Sequence, residues 1–177
     1  MQRFDALYWY SGGSSAGLEN GSAPATLTHP SAPAPVIQNQ SADSGGVAVA
    51  ERSVVINEIA WAGTKANSAD EWIELYNNTS STINLTGWKI KKDNEDWITI
   101  STSTTLAESY YLLERTGDNT VSNITADQIY TGALNNSGHK LELINVQGNL
   151  IDSVDFSSGW PAGQATPNYI SMEGISS

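Results

Sequence analysis

From Val54 to Glu173 apolar and polar residues trade places almost residue by residue, in short runs separated by Asn, Gly, Ser, Thr and Asp. A period of two is the mark of a strand that turns one face toward a core. It predicts strands over Val54–Trp61, Glu71–Asn77, Ile83–Lys91, Trp97–Ser101, Tyr110–Arg115, Gln128–Gly132, Lys140–Asn145, Leu150–Phe156 and Tyr169–Glu173. No segment sustains a 3.6-residue period over three turns, so no helix is expected. Short strands at regular spacing, with turn-forming residues between them, predict an all-β fold: an antiparallel sandwich or barrel of about nine strands. In "INLTGWKIK" the apolar parity changes at Gly87, with Ile83 and Leu85 before it and Trp88 and Ile90 after it. A bulge at that glycine would bring all four to the buried side.

The alternation is missing upstream. Residues 11–52 are Gly, Ser, Ala, Pro, Asn and Gln with few large apolar side chains, as in "APATLTHPSAPAPVIQNQSADSGG". Such a segment cannot recover the entropy lost on ordering its backbone. The expected organisation is therefore a disordered linker over 1–52 and a β-domain over 53–177. The opening "FDALYWY" (Phe4–Tyr10) departs from the linker by its density of aromatic residues. It reads either as a frayed terminus or the remnant of an upstream domain, or as a docking peptide or added strand for a partner sheet.

Charge narrows the partners. The net charge is −11 with eight Lys and Arg, and the longest basic run, Lys91-Lys92, is followed at once by Asp93. Nucleic-acid affinity depends on basic groups that displace counterions from phosphates, so nucleic acid is not an expected partner; anionic lipid is disfavoured for the same reason. The chain has no cysteine, which removes disulfides, thiol nucleophiles and thiolate ligands together. Two histidines, His29 and His139, are too few and too far apart for an ordinary zinc site. Met1–Leu18 holds no unbroken apolar run of signal-peptide length and no stretch has the length of a membrane span, so no direct membrane insertion is expected. Either the protein is not exported by a standard signal or the chain is a fragment of something longer, and the fragment is the preferred reading.

The densest chemistry lies in "VVINEIAWAGTKANSADEWIELYNN" (Val54–Asn78), which holds Glu58, Asp70, Glu71 and Glu74. By strict alternation Glu58 shares a face with Val54 and Ile56, whereas Glu74 shares one with Trp72 and Tyr76. The structural reading places these carboxylates near sheet ends, hydrogen-bonded to backbone amides or to Lys. A calcium site at Asp70 and Glu71 is the alternative, but "AGTKANSAD" lacks the Asp-x-Asp-x-Asp-Gly spacing of a dedicated loop. Paired carboxylates for glycoside hydrolysis would need a fixed separation across a cleft. Three acids in "DNED" (Asp93–Asp96) read as a solvated hairpin tip, with weak cation binding as the alternative. His139, after "NNSG", reads as an exposed residue at a strand start, and as a general base only if an oriented acid approaches it. Asp152 shares parity with Val154 and Phe156, so it is expected to be partly buried and to accept backbone hydrogen bonds. Trp61, Trp97 and Trp160 read as core or as a sugar-stacking platform. No Gly-x-Ser-x-Gly elbow and no phosphate loop occurs. No catalytic, cofactor-binding or metal-binding residue is assigned, and no cofactor is expected.

An ordered set of fragments carries a resemblance: "INEI" at Ile56–Ile59, "DEWIELYN" at Asp70–Asn77, "LTGWKI" at Leu85–Ile90, "LNNSGHKLELIN" at Leu134–Asn145 and "GNLIDSVDF" at Gly148–Phe156, then "GWPAG" and "SMEG". In order and spacing they resemble the lamin tail domain, over about two-thirds of the chain. It departs from that pattern in Gly174, where an Arg often follows the Glu, and in its early stop at Ser177. The resemblance implies an immunoglobulin-like β-sandwich, and for prokaryotic copies a place in exported multidomain proteins. The expected function is that of a non-catalytic interaction or structural module, extracellular or at a cell envelope, acting through a protein partner or self-association. A ligand-binding accessory domain for calcium or glycan, attached to a catalytic neighbour, is the alternative.

Overall fold

The computed structural model describes residues 9–11, 52–101, 103–122 and 124–174, so the linker expected over 1–52 lies largely outside the described residues. Among them are twelve strands and no helix: β1 (Trp9–Ser11), β2 (Val54–Ala60), β3 (Trp72–Asn77), β4 (Ile83–Asn84), β5 (Lys89–Lys92), β6 (Glu95–Thr99), β7 (Thr104–Thr105), β8 (Tyr110–Arg115), β9 (Gln128–Tyr130), β10 (Lys140–Ile144), β11 (Leu150–Asp155) and β12 (Met172–Gly174). They form a six-stranded sheet in the order β1-β12-β2-β3-β8-β9, a four-stranded sheet β11-β10-β5-β6 and a β4-β7 ribbon. The two larger sheets face one another across a single apolar layer. Ile56, Ile59, Ile73, Leu75, Tyr111 and Leu113 come from one side, Ile90, Ile98, Leu141, Leu143, Ile151 and Val154 from the other. In β10 the alternation is strict, with Leu141 and Leu143 buried and their neighbours less so, as a sheet with one wet face requires.

Three local features modify the simple alternation. The long strand expected over Ile83–Lys91 is two strands in different sheets, because Leu85–Trp88 form a turn with Gly87 at φ +79°. Gly87 N donates to Ile100 O at 2.8 Å and Trp88 N to Leu85 O at 2.9 Å. Leu85, Trp88 and Ile90 are buried and Ile83 packs against them as expected, yet a chain crossing between sheets puts them there, not a bulge. The second feature is a register shift in β2 between Ile56 and Glu58, which leaves Asn57 as an extra residue opposite β3. The third is β9, which pairs parallel with β8 while every other named pair is antiparallel. The dozen residues between β8 and β9 supply the crossover that a parallel pair needs, and Val121, Ile124 and Ala126 of that crossover cover Trp72 and Leu112 on the outer face.

The sides of the sandwich are tied shut. Gln128, at the start of β9, accepts from Ser101 N at 2.9 Å and donates to Thr99 O at 3.0 Å. Trp97 Nε1 of β6 donates to Thr131 O at 3.0 Å. Opposite, Arg52 N donates to Ile151 O at 2.6 Å and Ile56 N to Asp152 Oδ2 at 2.8 Å, joining β2 to β11. The edges at β6, β9 and β11 are thus turned toward the facing sheet. The β12 edge is extended instead, by β1.

Candidate interaction site

Of the four acids in Val54–Asn78, Asp70 and Glu71 go to separate partners, while Glu58 and Glu74 come together. Asp70 accepts from Thr64 Oγ1 at 2.7 Å and closes the β2–β3 loop. Glu71 is buried and pairs with Arg115 Nη1 at 2.9 Å, while its other oxygen accepts from Leu134 N at 2.8 Å. Burial pushes the Glu71 carboxyl above its ordinary range, against the opposing pull of the Leu134 amide and Arg115. Glu58 and Glu74 lie in mid-strand, not at sheet ends. The extra residue Asn57 reverses the parity of β2, so Glu58 leaves the face of Val54 and Ile56 and stands directly opposite Glu74. On its other side it pairs with Glu173 of β12. Glu173, Glu58 and Glu74 form a row across three strands, each at most 1 % exposed, and Asn57 Nδ2 donates to Glu74 Oε1 at 2.7 Å. No group of three or more His, Asp or Glu among the described residues is disposed to hold a metal ion.

His139 is buried, contrary to the exposed position expected for it. Its Nδ1 lies 2.6 Å from Asp93 Oδ2, and its Nε2 accepts from Asn135 N at 2.8 Å. The second bond fixes the tautomer with the proton on Nδ1 and occupies the lone pair that a general base would use. The missed signal was the tight Asp93–Asn94 turn. Both residues have positive φ, which folds the hairpin tip back so that the Asp93 carboxylate reaches β10. Asp93 also accepts from Lys140 N at 3.0 Å, and that amide, with His139, holds its carboxyl below the usual range. Asp96, nominally part of the tip, pairs with Lys89. Asp152 is buried with its carboxylate on the Ile56 amide, in the role read from its parity.

The tryptophan set divides as well. Trp97 stands edge-on to Tyr130 with the Lys92 ammonium 4.1 Å from its ring centre. Trp61 and Trp160 instead stack at 6.0 Å with planes 6° apart, and they belong to a row of rings at the end of the sandwich. Phe156 follows Trp160 at 5.7 Å, and Trp9 of β1 meets Phe156 edge-to-face at 5.5 Å. The indole Nε1 of Trp61 donates to Ala162 O and that of Trp160 to Asn135 O, so both rings are anchored.

This aromatic end is where the N-terminal segment docks. Trp9 pairs with Gly174, Tyr10 with Glu173 and Ser11 with Met172, antiparallel. Gly163 N donates to Ser11 Oγ at 2.9 Å. Gly163 has φ +79°, and a Cβ there would lie 2.6 Å from Trp61 Nε1 and 2.9 Å from Ile170 O. Only glycine lets the loop hold Trp61 and present its amide to β1 together. Neither reading of "FDALYWY" describes this strand: Phe4–Tyr8 lie outside the described residues, and Trp9 and Tyr10, with Ser11, pair with the chain's own sheet rather than a partner's.

Comparison with protein families gives one assignment: the family described as Lamin Tail Domain matches residues 48–158. No curated protein matches the chain. The matched span takes in β2 to β11, while β1 and β12 lie outside it.

Proposed function

This chain belongs to the lamin tail domain family, and we propose that it is a non-catalytic protein-association module that takes an extended segment as an extra strand along β12. Members of the family have an immunoglobulin-like fold, often serve as interaction or structural modules, and are generally non-catalytic. The observation that carries the reading is β1, a three-residue strand set about forty residues ahead of β2 and seated along the outer edge of β12. Main-chain pairing supplies affinity in such an arrangement, and the ring that meets Phe156 supplies selectivity. The commitment of His139, Asp93, Glu71 and Asp152 to backbone and ion-pair partners supports a structural use of the chemistry that the sequence offers. The setting we propose is an exported or envelope-attached multidomain protein. It is supported by the spacer-like composition of residues 11–52 and by a domain that needs no cysteine.

The test is a titration of a fluorescent peptide with the sequence of Phe4–Ser11 into the full chain carrying Trp9→Ala, which weakens the resident strand. Saturable binding that is reduced by Phe156→Ala, and absent for a scrambled peptide, is expected. No saturable binding to Trp9→Ala, with its melting transition intact, would overturn the strand-acceptor reading.

A further inference from the structure

We propose that β1 is exchanged between copies: the Trp9–Ser11 strand of one chain seats on β12 of a second copy, so that two copies associate by trading identical strands. The inference rests on the reading of β12 as a strand acceptor and adds the identity of the partner.

The connection is the first reason. Both β1 and β2 run antiparallel to β12, so they are parallel to each other, and Ser11 lies level with Ile59 through Met172. Closing the chain on itself means returning to Val54 at the far end of β2 across two inter-strand gaps, a span of roughly 20 Å from strand geometry. Six to eight extended residues would cover that distance, whereas residues 12–53 supply about forty. So long a tether also lets β1 reach a neighbouring copy.

The second reason is that exchange changes no contact. The β12 pairing, the edge-to-face contact of Trp9 with Phe156 and the Gly163 amide on Ser11 Oγ are the same whichever chain supplies the strand. Only concentration then decides. A tether of Gly/Ser/Ala/Pro composition presents its strand at an effective concentration on the order of millimolar. Closure within one chain therefore wins in dilute solution, and exchange competes where copies are crowded to a similar local density. The third reason is specificity: β6, β9 and β11 are engaged across the sandwich, so a second copy's strand finds its matching edge at β12. The net charge of −11 opposes the approach of two copies, and exchange rises with ionic strength as that repulsion is screened.

The test shortens the tether. Deleting residues 13–51 leaves Gly12, Arg52 and Ser53 between the strands, a reach of at most about 14 Å. That cannot close β1 on its own β12 but still permits exchange. Sedimentation equilibrium at ~20 μM, far below the effective concentration of the tether, is expected to give twice the monomer mass for the deletion and monomer for the full chain. Trp9→Ala in the deletion should restore the monomer. A monomeric deletion variant with native near-ultraviolet circular dichroism would overturn the proposal.

A second arm needs no deletion. Because the chain has no cysteine, full-length Ser11→Cys and Met172→Cys copies can be mixed and oxidised. A mixed disulfide that grows between ~10 μM and ~1 mM, bracketing that effective concentration, supports exchange. Its absence at the higher value, while the double variant closes within one chain, would overturn exchange. Binding of the Phe4–Ser11 peptide in the same preparations shows whether exchange alone has failed or the strand-acceptor premise with it.

Discussion

Replacing Arg115 by methionine removes the cation from a carboxylate that has almost no water. The Glu71 side chain is 4 % exposed and that of Arg115 23 %, and they meet at 2.9 Å. With Arg115 gone, Glu71 keeps the hydrogen bond from the Leu134 amide and the more distant charge of Lys92. Breaking a buried pair by removing one partner costs about 3–5 kcal/mol, and the partial exposure of Arg115 places this case near 3 kcal/mol. With a urea slope of about 2 kcal/mol/M for a domain of this size, the unfolding midpoint at pH 7 should fall by roughly 1.5 M. Two features separate a charge effect from lost packing. Glu71 is already raised by burial, and losing its cation raises it further. The extra penalty is present above that higher folded value and is lost as pH falls through it toward the wild-type protein's own raised value, so the loss should be smaller at pH 5 than at pH 7. In a Glu71→Gln background, which keeps an acceptor for Leu134 N, the same Arg115→Met change should cost about 1 kcal/mol, a coupling of about 2 kcal/mol. Equal losses in both backgrounds and at both pH values would refute the reasoning and assign the effect to the packing of the arginine stem.

Asp152→Ala should cost about 2 kcal/mol by stranding the buried Ile56 amide, while Asp152→Asn, which keeps an acceptor oxygen, should cost less than half as much in the same urea assay. At Gly138 a Cβ would fall 1.8 Å from Phe156 O at φ +106°, and at Gly148, φ +83°, it would meet nothing within 4 Å. Gly138→Ala is therefore expected to abolish the cooperative melt, and Gly148→Ala to lose only about 1 kcal/mol. Glu71 and Asp127 are raised mainly by burial, so their ionised forms weigh against the fold and the weight lifts as pH drops toward 4. Asp93, Asp96 and Asp155 are held down by hydrogen bonds from Lys140 N, Lys89 and Ser157 respectively. Their contribution is present above about pH 4 and lost as pH falls through their lowered values. The melting temperature should thus rise from pH 7 to about 5 and fall below about 3.5. A monotonic decline from pH 7 downward would count against this assignment.

Much of the site was legible because some roles follow from parity alone. Asp152 sits two residues before Val154 with no extra residue between them, so its burial and its need for a backbone donor could be read directly. Glu58 could not be read this way. One added residue at Asn57 inverts every position that follows, and nothing in "VVINEIA" marks which residue is the extra one. The burial of His139 depended on Asp93 folding back from a hairpin tip 46 residues away, a contact with no local trace. The tryptophans looked equivalent because indole size predicts burial but says nothing about which rings meet.

By itself the sequence determined the all-β class, the approximate places of most strands and the exclusion of thiol chemistry, because alternation marks a pleated strand wherever no extra residue interrupts it and composition is fixed whatever the fold. Only the tertiary structure decided that three glutamates align across β12, β2 and β3, that β9 runs parallel, and that Trp9–Ser11 complete the β12 edge. Those outcomes are pairings between distant segments, selected by which edges remain open once the sheets have closed on each other, and no window of neighbouring residues contains that information.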